Sequence, residues 1–148
     1  VQQQNTGLPA FAFGPVVRGM AIQPDGRILL AASVHGVTSL VRYLPDLTLD
    51  SSFSFDAQAI FALANIEDVL LQPDGKILIA GEKDQNFFVA RLNADGALDP
   101  GFGANGWVTT DLGGQDRIGG IAWLADGHLV VRWPVPHVDV ATIRVGAA

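Results

Sequence analysis

The 148-residue chain repeats itself, and that repeat constrains its fold more than any other feature. Ile22–Ala32 (IQPDGRILLAA) returns as Leu71–Gly81 (LQPDGKILIAG) and again, in altered form, as Trp123–Trp133 (WLADGHLVVRW). Asp25, Asp74 and Asp126 mark the three copies, 49 and then 52 residues apart. A second block keeps the first offset. Val41–Phe53 (VRYLPDLTLDSSF) lies over Ala90–Phe102 (ARLNADGALDPGF), placing Arg42 on Arg91, Leu49 on Leu98, Asp50 on Asp99 and Phe53 on Phe102. Of this block the third copy retains Thr142–Val145 (TIRV).

A period near 50 residues holds about four short strands with their turns, which is the unit of a β-propeller blade. Pro-Asp-Gly between two apolar runs is a turn: proline presets φ at the first corner and glycine takes the left-handed position. Arg27–Ser33 and Lys76–Ala80, rich in Ile, Leu and Ala, are predicted strands buried on both faces. Ser39–Leu44 and Phe87–Leu92 supply the next strand of each copy, and Trp107–Leu112 an outer one. No run reads as a helix; alanine-rich Ala57–Asn65 aligns with VTTDLGGQDR and is expected to be strand and loop. The fold class is therefore all-β, with blade repeats at about 19–67, 68–118 and 119–148 and an outer strand over Leu8–Val17 completing the last blade.

The repeat also resembles a known family. QPDGKILIAG followed by FVARLNADGALDPGFGANGWVTTDLG is similar to the delta-60 repeat of bacterial β-propeller-like proteins, most closely over Asp68–Gly114. The resemblance implies a bacterial protein that is secreted, surface-exposed or periplasmic. It specifies a repeat type rather than a function, because the shared residues are turn and core positions. The first copy departs from it where Leu47 replaces the turn glycine and Ser51-Ser52 replace Pro100-Gly101. The third departs at Ala125, in place of the turn proline, and at Trp133–Pro136, expected to interrupt the strand edge.

Three blades are fewer than the roughly 4–8 of known propellers. Two expectations follow: two chains pair about a C2 axis into a six-bladed ring, or the chain is part of a longer propeller. Its start at Val1 rather than Met fits a processed or partial protein. Only 16% of residues are charged against a usual ~25%, the depletion found where large interfaces form.

Composition excludes several function classes. With 9 Lys and Arg against 15 Asp and Glu, the chain lacks the basic surface that nucleic acid or anionic lipid requires. Cysteine is absent, so disulfides, thiolate metal sites and cysteine nucleophiles are excluded. No apolar run approaches the ~20 residues of a membrane helix. Gly-x-Ser-x-Gly, P-loop and dinucleotide motifs are missing, and Gly101–Gly106 joins two strands as a long outer turn with no helix behind it.

The remaining candidates are mostly structural. Asn93–Asp99 carries three oxygen side chains around a glycine, but lacks the ligands and terminal Glu of a calcium loop, and turn capping is the stronger reading. Asp25, Asp74 and Asp126 could ring one end of a propeller, yet their turns demand aspartate anyway. Arg42, Arg91 and Arg144 are expected to pair with repeating carboxylates, Asp50 and Asp99. His35, His128 and His137 share no register and have no carboxylate placed to orient them. Trp123 takes the core position of Ile22 and Leu71. If a ligand binds, Trp133 and His137, in a segment unique to the third copy, are the expected contacts. No cofactor or metal is expected. The sequence thus predicts a non-enzymatic propeller module serving as a binding or assembly scaffold, with a lectin-like, carbohydrate-binding propeller with sites between blades as the alternative.

Overall fold

The computed structural model describes residues 16–34, 37–54, 64–111, 118–135 and 138–144, and every regular element among them is a β-strand. A first sheet holds β1 (Val16–Ile22), β2 (Ile28–Val34) and β3 (Val37–Tyr43) in chain order. A middle sheet holds β4 (Asn65–Leu71), β5 (Ile77–Lys83), β6 (Asn86–Leu92) and β7 (Trp107–Thr110), also in chain order. A third holds β8 (Gly120–Trp123), β9 (His128–Val135) and β10 (Val138–Arg144). All neighbouring strands run antiparallel. The three sheets are the three copies of the repeat, and none is closed.

The Asp-Gly turns form as expected. Gln23 N donates to Arg27 O (2.8 Å) and Gly26 N to Gln23 O (2.9 Å); Gln72–Lys76 and Leu124–His128 close through the same pair of bonds. Gly26, Gly75 and Gly127 sit at φ 83°, 84° and 85°. The third turn, with Ala125 in place of proline, thus closes through the same backbone bonds and glycine without a proline.

Two strand boundaries differ from expectation. Val16 and Val17, expected in an outer strand over Leu8–Val17, instead begin β1 opposite Ser33 and Ala32; residues 8–15 lie outside the described ones. A bulge at Arg18 lets β1 run on past Gly19 without losing its partner. Nor do Trp133–Val135 interrupt the strand, since β9 continues through Pro134 to Val135; Pro136 lies outside the described residues. Between Arg132↔Val140 and Val135↔Val138 the register shifts by one residue, so Trp133 and Pro134 lie in a bulge, where the missing proline N–H costs no ladder bond. Of Ala57–Asn65, residues 57–63 lie outside the described ones and Asn65 opens β4.

Why the strand sequences are continuously apolar is clear from the stacking. β4 packs against β1 on one side and β8 on the other, so the middle sheet is covered on both faces. Ile77, Ile79, Phe88, Ala90 and Leu92 turn toward Leu29, Ala31 and Leu40 of the first sheet. The alternate residues Leu78, Ala80, Phe87 and Val89 turn toward Leu129 and Val131 of the third. Adjacent residues point to opposite faces of a strand, so a strand with two buried faces has no polar positions. Fully burying a side chain such as Phe87 or Phe88 contributes about 1.5–3 kcal/mol.

Candidate functional site

The second repeat block builds a clasp at the end of each of the first two sheets. Arg42 on β3 donates from Nε to Asp50 Oδ2 (2.8 Å), and Arg91 on β6 does the same to Asp99 (2.7 Å). The expected Arg–Asp pairing is therefore present in both. Asp50 N donates back to Arg42 O and Asp99 N to Arg91 O, each at 2.9 Å, which fixes the carboxylate opposite the guanidinium. Phe53 and Phe102 then close over the cations, with guanidinium carbons 4.6 and 4.8 Å from the ring centroids. A second cation comes from the residue after the Asp-Gly turn: Arg27 lies 3.3 Å from Asp50, and Lys76 2.7 Å from Asp99.

The first clasp also joins two sheets. Arg42 Nη1 donates to the Ala94 carbonyl in the turn after β6, and Ser54 N donates to Asp95 O (3.1 Å). Elsewhere, Asp68 Oδ2 accepts from Ile121 N (2.9 Å), tying the middle sheet to the third, and Arg18 meets Glu67 at 3.5 Å across the facing bulges of β1 and β4.

These arrangements hold the clasp carboxylates ionised. The Lys76 ammonium, with the Gly101 N–H and Arg91 behind it, lowers Asp99 to about 2. The Ser52 hydroxyl, and then Ser52 N–H and Arg42, also lower Asp50. A carboxyl is ordinarily near ~3.9 when unfolded, so between about pH 4 and pH 2 the unfolded chain binds more protons than the folded one. Stability contributed by these groups is complete above that window and is lost as pH falls through it. The urea midpoint is expected to be level above about pH 5 and to decline toward pH 2, with a shallower decline in Asp99→Asn. A midpoint that rises on acidification would contradict the clasp.

The other predicted site residues are accounted for locally. Asp25, Asp74 and Asp126 each accept the N–H two residues on (Arg27, Lys76 and His128, at 3.0, 3.1 and 3.1 Å), and Asp46 and Asp95 cap their turns through Thr48 and Ala97. Among the described residues no three His, Asp or Glu side chains converge as a metal site. His128 departs from expectation: a carboxylate does stand beside it, with Asp126 Oδ1 2.9 Å from Nδ1. The reason is positional, since His128 follows its turn as Arg27 and Lys76 follow theirs. Trp123 is half-buried against the second core. His35 and His137 lie outside the described residues, as do the side chains of Trp133 and Arg144.

Two surface features were not legible as sites. An open groove of about 400 Å³ runs along the outer strand, lined by Ala104, Asn105, Trp107, Val108 and Thr109. The other is the face of the first sheet turned away from the middle one, where Val17, Met20, Ile22, Leu47 and Leu49 are all more than half exposed. Its signal lay in the replacement of the turn glycine by Leu47.

Residues 23–53 and 72–102 match the family described as "Domain of unknown function (DUF5122) beta-propeller". Both segments are similar to that β-propeller family over 31 residues each. Each runs from the glutamine before the Asp-Gly turn to the phenylalanine of the clasp, so the repeat unit is one turn, one hairpin and one clasp. The family is of the delta-60-repeat, β-propeller kind. Among solved structures, the chain is similar to that of a protein of unknown function from Bacteroides caccae, with a TM-score of 0.58 and 17% identity. The match covers 95% of this chain and 46% of that one, so this chain spans just under half its length. No curated protein matches.

Proposed function

We propose that this chain is a three-blade β-propeller module that acts as a non-enzymatic binding and assembly scaffold, with two copies closing one six-bladed ring. The observation that carries this reading is the disposition of polar and apolar groups. The repeated acids and bases of the described residues serve turns and clasps, whereas most of the exposed large apolar side chains among the described residues gather on the outer face of the first sheet. Acid–base catalysis needs a titratable group free to exchange a proton with substrate, and clasp carboxylates held by two cations are poor candidates. Mass measurement in solution tests the ring: about twice 15.6 kDa is expected, and a stable single-copy mass overturns it.

The groove beside β7 favours a second reading, a lectin-like propeller. An indole next to the polar side chains of Asn105 and Thr109 is the combination that stacks on a sugar ring and bonds its hydroxyls. A glycan array decides it, and no binding across the array removes the lectin reading.

A further inference from the structure

The outer face of the first sheet can be compared, residue by residue, with a face that is already covered. Offset by 49 residues, Val17, Met20 and Ile22 correspond to Ile66, Val69 and Leu71 of the middle sheet. Ile66 and Val69 are 0% and 5% exposed beneath the first sheet, whereas Val17 and Met20 are 52% and 60% exposed. Leu98 packs into the first core, while its counterpart Leu49 faces solvent. The repeat thus says what kind of surface covers such a face: the far side of another sheet of the same type.

The two faces differ at one turn. Gly96, at φ 98°, is buried under the first clasp, and a Cβ there would lie 2.3 Å from Ser54 O and 2.9 Å from the Phe53 ring. Leu47 occupies the corresponding position at φ 67°, with its side chain outward. A sheet that brings a Phe-Ser segment over the turn, as the first sheet does over the middle one, therefore has no room at Leu47. The far sides of the first and middle sheets are in any case occupied within the chain.

We propose that the outer face of the first sheet is the interface to a second copy of this chain, docked against the far side of that copy's third sheet, and that Leu47 packs where the Ser54–Gly96 contact joins the first two sheets. This rests on the ring reading above. A second copy is the occupant because the covered equivalent is a sheet of the same repeat, and because the chain spans 46% of a solved chain of like fold, so two copies supply about one such fold. Leu47 then sets which sheets can be neighbours: it refuses a sheet that brings a clasp segment over this turn, giving the ring a fixed order.

Sedimentation equilibrium of the full chain tests this with Leu47→Asn and Met20→Ser beside the parent. Asparagine is tolerated in the left-handed region, so Leu47→Asn keeps the turn while removing the apolar knob. The parent is expected as two copies, and each variant to dimerise at least tenfold more weakly with an unchanged circular-dichroism spectrum. A dimeric parent whose Leu47→Asn variant dimerises equally well overturns the role of Leu47 and leaves the ring intact. Equal dimerisation by both variants overturns the assignment of this face. A single-copy parent overturns the ring itself and this interface with it, as do open assemblies larger than two copies.

Discussion

Truncating Phe102 to alanine lowers the unfolding free energy by about 3–5 kcal/mol, the largest loss expected from any single clasp residue. The ring is 1% exposed and belongs to the core between the middle and third sheets. It also shields the Arg91 guanidinium, which would otherwise lie in the opened cavity with only Asp99 as a charged partner. Phe53→Ala is expected to cost less, because Phe53 is only partly buried against its core. Urea unfolding of both variants checks the order. A double-mutant cycle between Phe102→Ala and Arg91→Met is expected to show a coupling of about 0.5–1 kcal/mol, the worth of a cation over a ring. A Phe102→Ala loss no larger than that of Phe53→Ala would mean the clasp is not part of the core.

Gly96→Ala is expected to cost about 3 kcal/mol, combining left-handed backbone strain with overpacking. The matched control is Gly75→Ala. Gly75 has a similar φ, 84°, but a Cβ there meets nothing within 4 Å, so only the backbone strain of about 1 kcal/mol applies. Thermal unfolding of the two variants separates conformational preference from inter-sheet fit. Equal losses would show that the first clasp does not press on the turn after β6. The excess at Gly96 is what a side chain at this turn costs a sheet that docks clasp-first, the same steric argument that gives Leu47 its role.

Much of this was legible along the chain. The 49-residue offset located the sheets, because a repeat that must stack on its neighbours keeps the same turn and core residues in every copy. Arg42 with Asp50, and Arg91 with Asp99, could be paired from sequence because each Asp follows its Arg by eight residues across a single turn. The second cation was not, since Lys76 lies 23 residues from Asp99 and reaches it only when the β5–β6 hairpin folds back. The outer strand over Leu8–Val17 was misplaced at its end because an apolar run does not reveal where a bulge lets a strand continue.

What the sequence determined by itself is therefore local and periodic: the turns, the two-faced burial of β5, and the short-range half of each clasp. These depend on residues within one turn or hairpin, where chain connectivity brings the groups together. The tertiary structure alone decided that Gly96 sits beneath Ser54 while Leu47 is 56% exposed, and that Met20 and Val69, equivalent in the repeat, differ in burial. Copies of one repeat differ in what stacks upon them, and stacking is a contact between sheets rather than a property of any segment.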